Sequence, residues 1–128
     1  MRRNLLLILV LSLLAFGGLA NAQDGPIRVA VVMPSSTTDL AWSQTIYEAL
    51  LEVQGILGGE EAMVIAHTEG MFDVAAAAET LRGYADDGYD LIIAHGTQYG
   101  TSLFDIAPDY PDTSFAGVQL PTPARIKV

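Results

Sequence analysis

The chain has 128 residues, 15 Asp or Glu against 6 Lys or Arg, and no cysteine. An acidic chain of this size holds about one domain with a single core. It excludes nucleic acid and anionic membrane surfaces as partners, because both need basic patches, and it excludes a disulfide framework.

The first 22 residues stand apart from the fold. Arg2-Arg3, the apolar run Leu5 to Leu19 and Ala20-Asn21-Ala22 have the basic, apolar and small-residue zones of a secretory signal peptide. The run is short for a membrane span, which needs about 20 apolar residues. No cysteine is present at the cleavage point to take a lipid. Cleavage before Gln23 leaves Arg28, Arg82, Arg125 and Lys127 against all 15 acids, a net charge of −11. The expectation is an exported, periplasmic or secreted protein with no membrane insertion after cleavage. A phosphorylated ligand is disfavoured for want of cations, and a neutral or cationic small molecule fits better.

In the remaining chain, Val29 to Met33 is an unbroken apolar run, as in a parallel strand covered on both faces. Pro34 ends it, and Ser35, Ser36, Thr37, Thr38 and Asp39 form a polar loop. Asp39 is a natural N-cap for a helix whose apolar stripe is Trp42, Ile46, Leu50, Val53 and Leu57. Gly55 and Gly58-Gly59 punctuate, then Ala62 to Ala66 reads as a second buried strand with His67 to Gly70 as its exit. Asp73 caps a second helix with Val74, Ala77, Ala78, Leu81 and Ala85 inward, while Glu79, Arg82 and Asp86 can pair outward. Gly88 closes it as a C′ glycine. Leu91 to Ala94 is the third strand, His95 to Gly100 a second polar loop, Thr101 to Ala107 a short helix, and Thr113 to Val118 a fourth strand.

Alternating strands and helices imply an α/β fold, a parallel sheet with helices on both faces and right-handed crossovers. With a strand order of 2-1-3-4, taken from the habits of such folds, the loops 34–39 and 95–100 flank one crevice at the topological switch point. Ser36, Asp39, Trp42, His95, Gln98 and Tyr99 are the candidate ligand-binding residues there. Trp42 suits either a core position or a stacking ring, Asp39 either a plain cap or a ligand acceptor, and His67 a structural role. The chain has no phosphate loop, G-x-S-x-G or H-E-x-x-H motif, and its two histidines lie in separate loops, so no enzyme, metal or cofactor is implied.

Three stretches, VAVVMPSSTTDLAWSQTIYEAL (29–50), GYDLIIAHGTQYG (88–100) and APDYPDTSFAG (107–117), resemble the BMP family (basic membrane protein, PnrA-like) of ABC importer substrate-binding proteins. The resemblance implies a two-lobed type I periplasmic-binding-protein fold that closes on a small planar solute such as a nucleoside. Of this, residues 23–118 would be the first part of the N-terminal lobe. It places Asp39 within reach of the ligand and Trp42 as a stacking ring, with an ABC permease as the membrane partner; Ser36, His95 and Gln98 are expected to hydrogen-bond the ligand from their loops. The family's usual aromatic is Phe followed by Asn, where this chain has Trp42-Ser43, and its third-strand loop usually offers an acid, where this chain has His95, Gln98 and Tyr99. Residues 119–128 (QLPTPARIKV) read as a truncated tail, so the chain is expected to be a fragment. An extracellular sensory module and a non-functional remnant are the alternatives.

Overall fold

The computed structural model describes residues 25–118, so the expected signal peptide and the last ten residues lie outside the described residues. Four strands, β1 (Ile27–Val32), β2 (Met63–Thr68), β3 (Leu91–Ala94) and β4 (Ser114–Gly117), form one parallel sheet in the order β2-β1-β3-β4. The helices α1 (Trp42–Leu57), α2 (Val74–Asp86) and α3 (Gly100–Ile106) connect them, with 3-10 turns over Thr97–Tyr99 and Ala107–Asp109. The expected order is therefore the observed one, and the reversal of winding lies between β1 and β3.

β1 is an inner strand, with β3, because its run can be apolar on both sides. Val29 through Met33 are buried, with Ala30 and Val32 facing one core and Val29, Val31 and Met33 the other. On the first face α2 and α3 pack through Ala77, Leu81, Ala85 and Ile106 against Ala30, Val32, Ile92 and Ala94. The alanines of α2 are small enough to bring its backbone close to the sheet. On the second face α1, the one helix there among the described residues, packs through Leu50 and the partly buried Ile46 and Tyr47 against Val29, Val31, Met33 and Met63.

Several boundaries and faces differ from those expected. In α1 the buried residues are Ser43 and Leu50, whereas Val53 and Leu57 are 44% and 50% exposed. α1 is the one helix in that face's core cluster among the described residues, and the far half of its stripe is left uncovered. On that same sheet face Ser114 and Ala116, level with Leu91 and Ile93, are exposed. β2 continues through His67 and Thr68, because both pair with β1, and the His67 ring rests 4.6 Å from that of Tyr47. α2 begins as expected, with Asp73 accepting from the Ala76 amide at 2.8 Å, and ends at Gly88 with φ of 74°. Its outward charges do not pair along the helix. Arg82 reaches Asp109 at 3.3 Å, and the Tyr110 hydroxyl donates to Asp86. β4 is two residues shorter than expected, and α3 starts one residue earlier and ends one earlier.

Candidate functional site

The loop between β1 and α1 is organised by one carboxylate. Asp39 Oδ2 accepts from the Ser35 hydroxyl at 2.5 Å and the Ser43 amide at 3.0 Å, while Oδ1 accepts from the amides of Ala41 at 2.9 Å and Gln44 at 3.1 Å. These bonds, the Ser35 hydroxyl first, hold its carboxyl well below the usual carboxylate range. Asp39 thus caps α1 from two residues outside the helix's first boundary residue, Ala41, and both oxygens are already engaged. The wrap forces Leu40 to a φ of 58°, a conformation that costs a non-glycine residue about 1 kcal/mol. Ser43 is the buried polar residue beneath, its hydroxyl 2.7 Å from that of Ser35.

A reciprocal clasp ties this loop to the one after β3. The Trp42 indole N–H donates to the His95 carbonyl at 3.1 Å, and His95 Nε2 donates to the Trp42 carbonyl at 3.1 Å. The two rings stack, 4.6 Å between centroids and 24° between planes. Partial burial presses the imidazole below its ordinary pKa, against the upward pull of the Trp42 carbonyl and the Asp39 charge. Beyond it, Tyr99 is fully buried in the α2/α3 core. Its hydroxyl donates to the Met71 carbonyl, and burial pushes its pKa up to about 12.

That bond brings in a third segment, the loop after β2. Met71 N donates to Met33 O at 2.9 Å, Gly70 N to Ser35 O at 3.4 Å, and Glu69 accepts from the Thr37 amide and hydroxyl at 2.7 and 2.9 Å. The three loops enclose a crevice of about 360 Å³ at the carboxyl edge of the sheet, lined by Pro34, Ser35, Trp42, Phe72, Thr97 and Gln98.

Of the six candidates read from the sequence, the structure brings Trp42 and Gln98 to the crevice wall. Ser36 turns aside to Thr38, 2.9 Å between hydroxyls, and its neighbour Ser35 takes the wall position. Asp39 and His95 sit behind the wall and hold it. Tyr99 is corrected from a ligand contact to a buried strut, because its ring is inaccessible and its hydroxyl already committed. Phe72 and Thr97 were missed. The signal for Phe72 was available, since a large aromatic one residue before a helix cap has no apolar periodicity to explain it. A second hollow of about 490 Å³ lies at the other end, among Tyr89, Asp90, Asp109, Tyr110 and Asp112 before β3 and β4. It is larger, but open α/β sheets bind ligands outside the carboxyl ends of their strands.

Comparison with known proteins gives the family and the fold. The family model described as ABC transporter substrate-binding protein PnrA-like (Bmp) matches residues 27–119. A solved ABC transporter solute-binding protein from Conexibacter woesei superposes with a TM-score of 0.61 at 26% identity, over 70% of this chain and 28% of that one. A fragment of a putative lipoprotein from Peptoclostridium difficile shares the fold, with a TM-score of 0.59 at 22% identity over 78% of this chain and 79% of its own. The transcriptional activator protein med of Bacillus subtilis is 24% identical over 113 residues, 88% of this chain. The chain spans 34% of that relative's length. The four-stranded unit is thus part of a periplasmic-binding-protein-like lobe, and the chain belongs to the Bmp family of PnrA-like ABC transporter substrate-binding proteins.

Proposed function

We propose that this lobe forms one wall of the solute site of an exported ABC importer receptor, and that the solute is small and planar, with a nucleoside as the model. The observation that carries the reading is the crevice at the switch point, whose exposed indole stands beside unengaged polar side chains on an anchored frame. Trp42 offers a stacking surface, since His95 covers one side of the ring and 44% of the residue remains exposed. Gln98 and Thr97 supply hydrogen bonds, with Asp39, His95 and Tyr99 keeping the loops in place. Uptake then follows from closure of a second lobe over the ligand, and the closed form is what a membrane permease would read. A single wall buries only part of a solute, so the chain alone should bind in the millimolar range, about −4 kcal/mol.

Saturation-transfer NMR tests this on the chain as it stands, with inosine, its ribose alone and a non-planar sugar of similar size. Transfer to the purine protons of inosine, and none to the sugars, supports the reading. Equal transfer to all three, or to none, would overturn it.

A second reading, a ligand-sensing module in a regulatory protein, draws on the likeness to a relative described as a transcriptional activator. The same crevice would then bind the signal. Direct DNA contact by this unit is disfavoured, because its only cations in 25–118 are engaged. Arg28 donates to the Asp87 carbonyl at 2.6 Å and stacks on Tyr89, and Arg82 pairs with Asp109.

A further inference from the structure

The two outer strands of the described sheet finish their open edges differently. β2 has Glu60 and Glu61 before it and Glu69 after it, and its first carbonyl, that of Met63, accepts from Gln54 at 2.8 Å. Acids at both ends keep such an edge from pairing with a copy of itself. β4 has Asp109 and Asp112 before it, but no charged residue from Thr113 to Val118. Nothing in that stretch guards the edge by charge.

The ladder shows which backbone groups are open. The Ser114 amide donates to the Asp90 carbonyl at 2.8 Å, and Ser114 and Ala116 stand level with Leu91 and Ile93. Successive residues of a strand turn their backbone groups to opposite sides. Ser114 and Ala116 therefore serve β3, while the N–H and C=O of Phe115 and Gly117 point to the free edge.

Beside that edge the surface is apolar. Phe104 of α3 is 65% exposed, and with Leu103, Phe115, Gly100, Gly117 and Val118 it lines a hollow of about 200 Å³. A cavity of about 150 Å³ admits benzene, so the hollow has room for a ring. Between Gly100 and Ala107 the one charged residue is Asp105. In a chain of net charge −9, the seam of α3 and β4 is thus a patch on which two copies can meet without opposing acids.

We propose that β4 is a self-association edge, on which a second copy of this chain pairs its own β4 antiparallel about a two-fold axis at Ala116. Phe115 of each copy exchanges both backbone bonds with Gly117 of the other, and the two Ala116 residues face each other between those pairs. The axis stands perpendicular to the sheet, so both α3 helices lie on the same side and Phe104 of each copy meets the apolar seam of the other. Antiparallel pairing points the acidic end of each β4 toward the neutral end of its mate, whereas parallel pairing would set Asp112 against Asp112. The two switch-point crevices then open at opposite edges of the joined sheet, and both stay free.

The chain has no cysteine, so single cysteines report the register. Ala116→Cys and Ser114→Cys, both at exposed positions, are oxidised with glutathione disulfide and resolved on non-reducing gels. Residues facing each other in a non-hydrogen-bonded pair have Cα atoms about 4.5 Å apart, within disulfide reach. Two copies of residue 114 would lie roughly 13 Å apart along the strands, beyond it. Ala116→Cys should cross-link roughly tenfold faster or more. Light scattering should show the mass of the wild type doubling with concentration, while Ala116→Lys and Phe104→Ser stay monomeric with the circular dichroism of the wild type. Ile56→Lys, on the exposed flank of α1, is the control and should still double. A wild type that is monomeric at roughly millimolar concentration, equal cross-linking of the two cysteines, or a dimer that survives Ala116→Lys overturns the proposal.

Discussion

Replacing Gly96 by alanine probes the hinge between the core and the crevice. The glycine has an extended backbone, φ of −153°, so alanine meets no conformational penalty and any cost is steric. A Cβ there would lie 2.5 and 2.8 Å from two ring carbons of Tyr99 and 2.9 Å from Gln98 Oε1. Ordinary carbon contacts are about 3.5–4.0 Å, so the overlap is about 1 Å. Gln98 can swing away, but Tyr99 is fully buried and fixed through its hydroxyl to Met71. Overpacking of this kind costs about 1–3 kcal/mol. For a domain of this size that lowers the melting temperature by roughly 5–20 °C, read by circular dichroism. Gly117→Ala is the internal control. Its Cβ would also collide, but chiefly with the end of the Leu103 side chain, which is only partly buried and can turn. Melting of Gly96→Ala with the wild type, or a larger loss in Gly117→Ala, would refute the reasoning that Tyr99 is a rigid strut.

Leu81→Ala removes a fully buried side chain between α2 and the sheet and should cost about 2–5 kcal/mol by denaturant titration. Tyr99→Phe deletes the donor to the Met71 carbonyl and should cost about 1–2 kcal/mol, with faster hydrogen exchange at Phe72; unchanged exchange would mean that the strut does not hold the loop. Burial lowers the His95 pKa on folding, so the unfolded chain binds more protons between the lowered value and about 6.5. The His95 contribution is present above that window and is lost as pH falls through it. Melting curves from neutral pH to pH about 5 should therefore show a decline that His95→Gln reduces, and an equal decline in the variant would contradict the assignment.

The fold was legible where burial is two-sided. The runs Val29–Met33 and Leu91–Ala94 have no polar residue to place, so they read as strands, and Asp73 and Gly88 mark α2 by their own chemistry. The far half of the α1 stripe was less so. Periodicity reports an apolar arc, not how much of it a four-stranded sheet can cover, and Val53 and Leu57 stay exposed. The site was legible as a place. Polar loops after β1 and β3 announced it, and the strand order brought them together. Individual roles were not, because one residue type serves opposite ends. An aspartate in a polar loop can cap or bind, and the amides around Asp39 are invisible until the chain turns at Leu40. Tyr99 was misjudged because loop position suggested access, whereas the 3-10 turn at Thr97–Tyr99 directs the ring into the core. The contribution of the β2 loop was hidden by topology, since an outer strand's loop reaches the crevice through contacts that sequence spacing does not show, the bonds of Met71 to Met33 and Tyr99, of Gly70 to Ser35 and of Glu69 to Thr37.

The central claim is that solute meets this lobe at the carboxyl edge of the sheet, and protein-observed NMR tests it most directly. In a nitrogen–proton correlation spectrum the single indole of Trp42 gives one resolved signal, and Gln98 adds a side-chain amide pair that assignment can identify. Titration with inosine should move these signals and the Phe72 and Thr97 amides together, saturating in the millimolar range. Shifts centred on the acidic hollow around Tyr89, Asp109 and Tyr110, or a spectrum that does not change at saturating inosine, would contradict it.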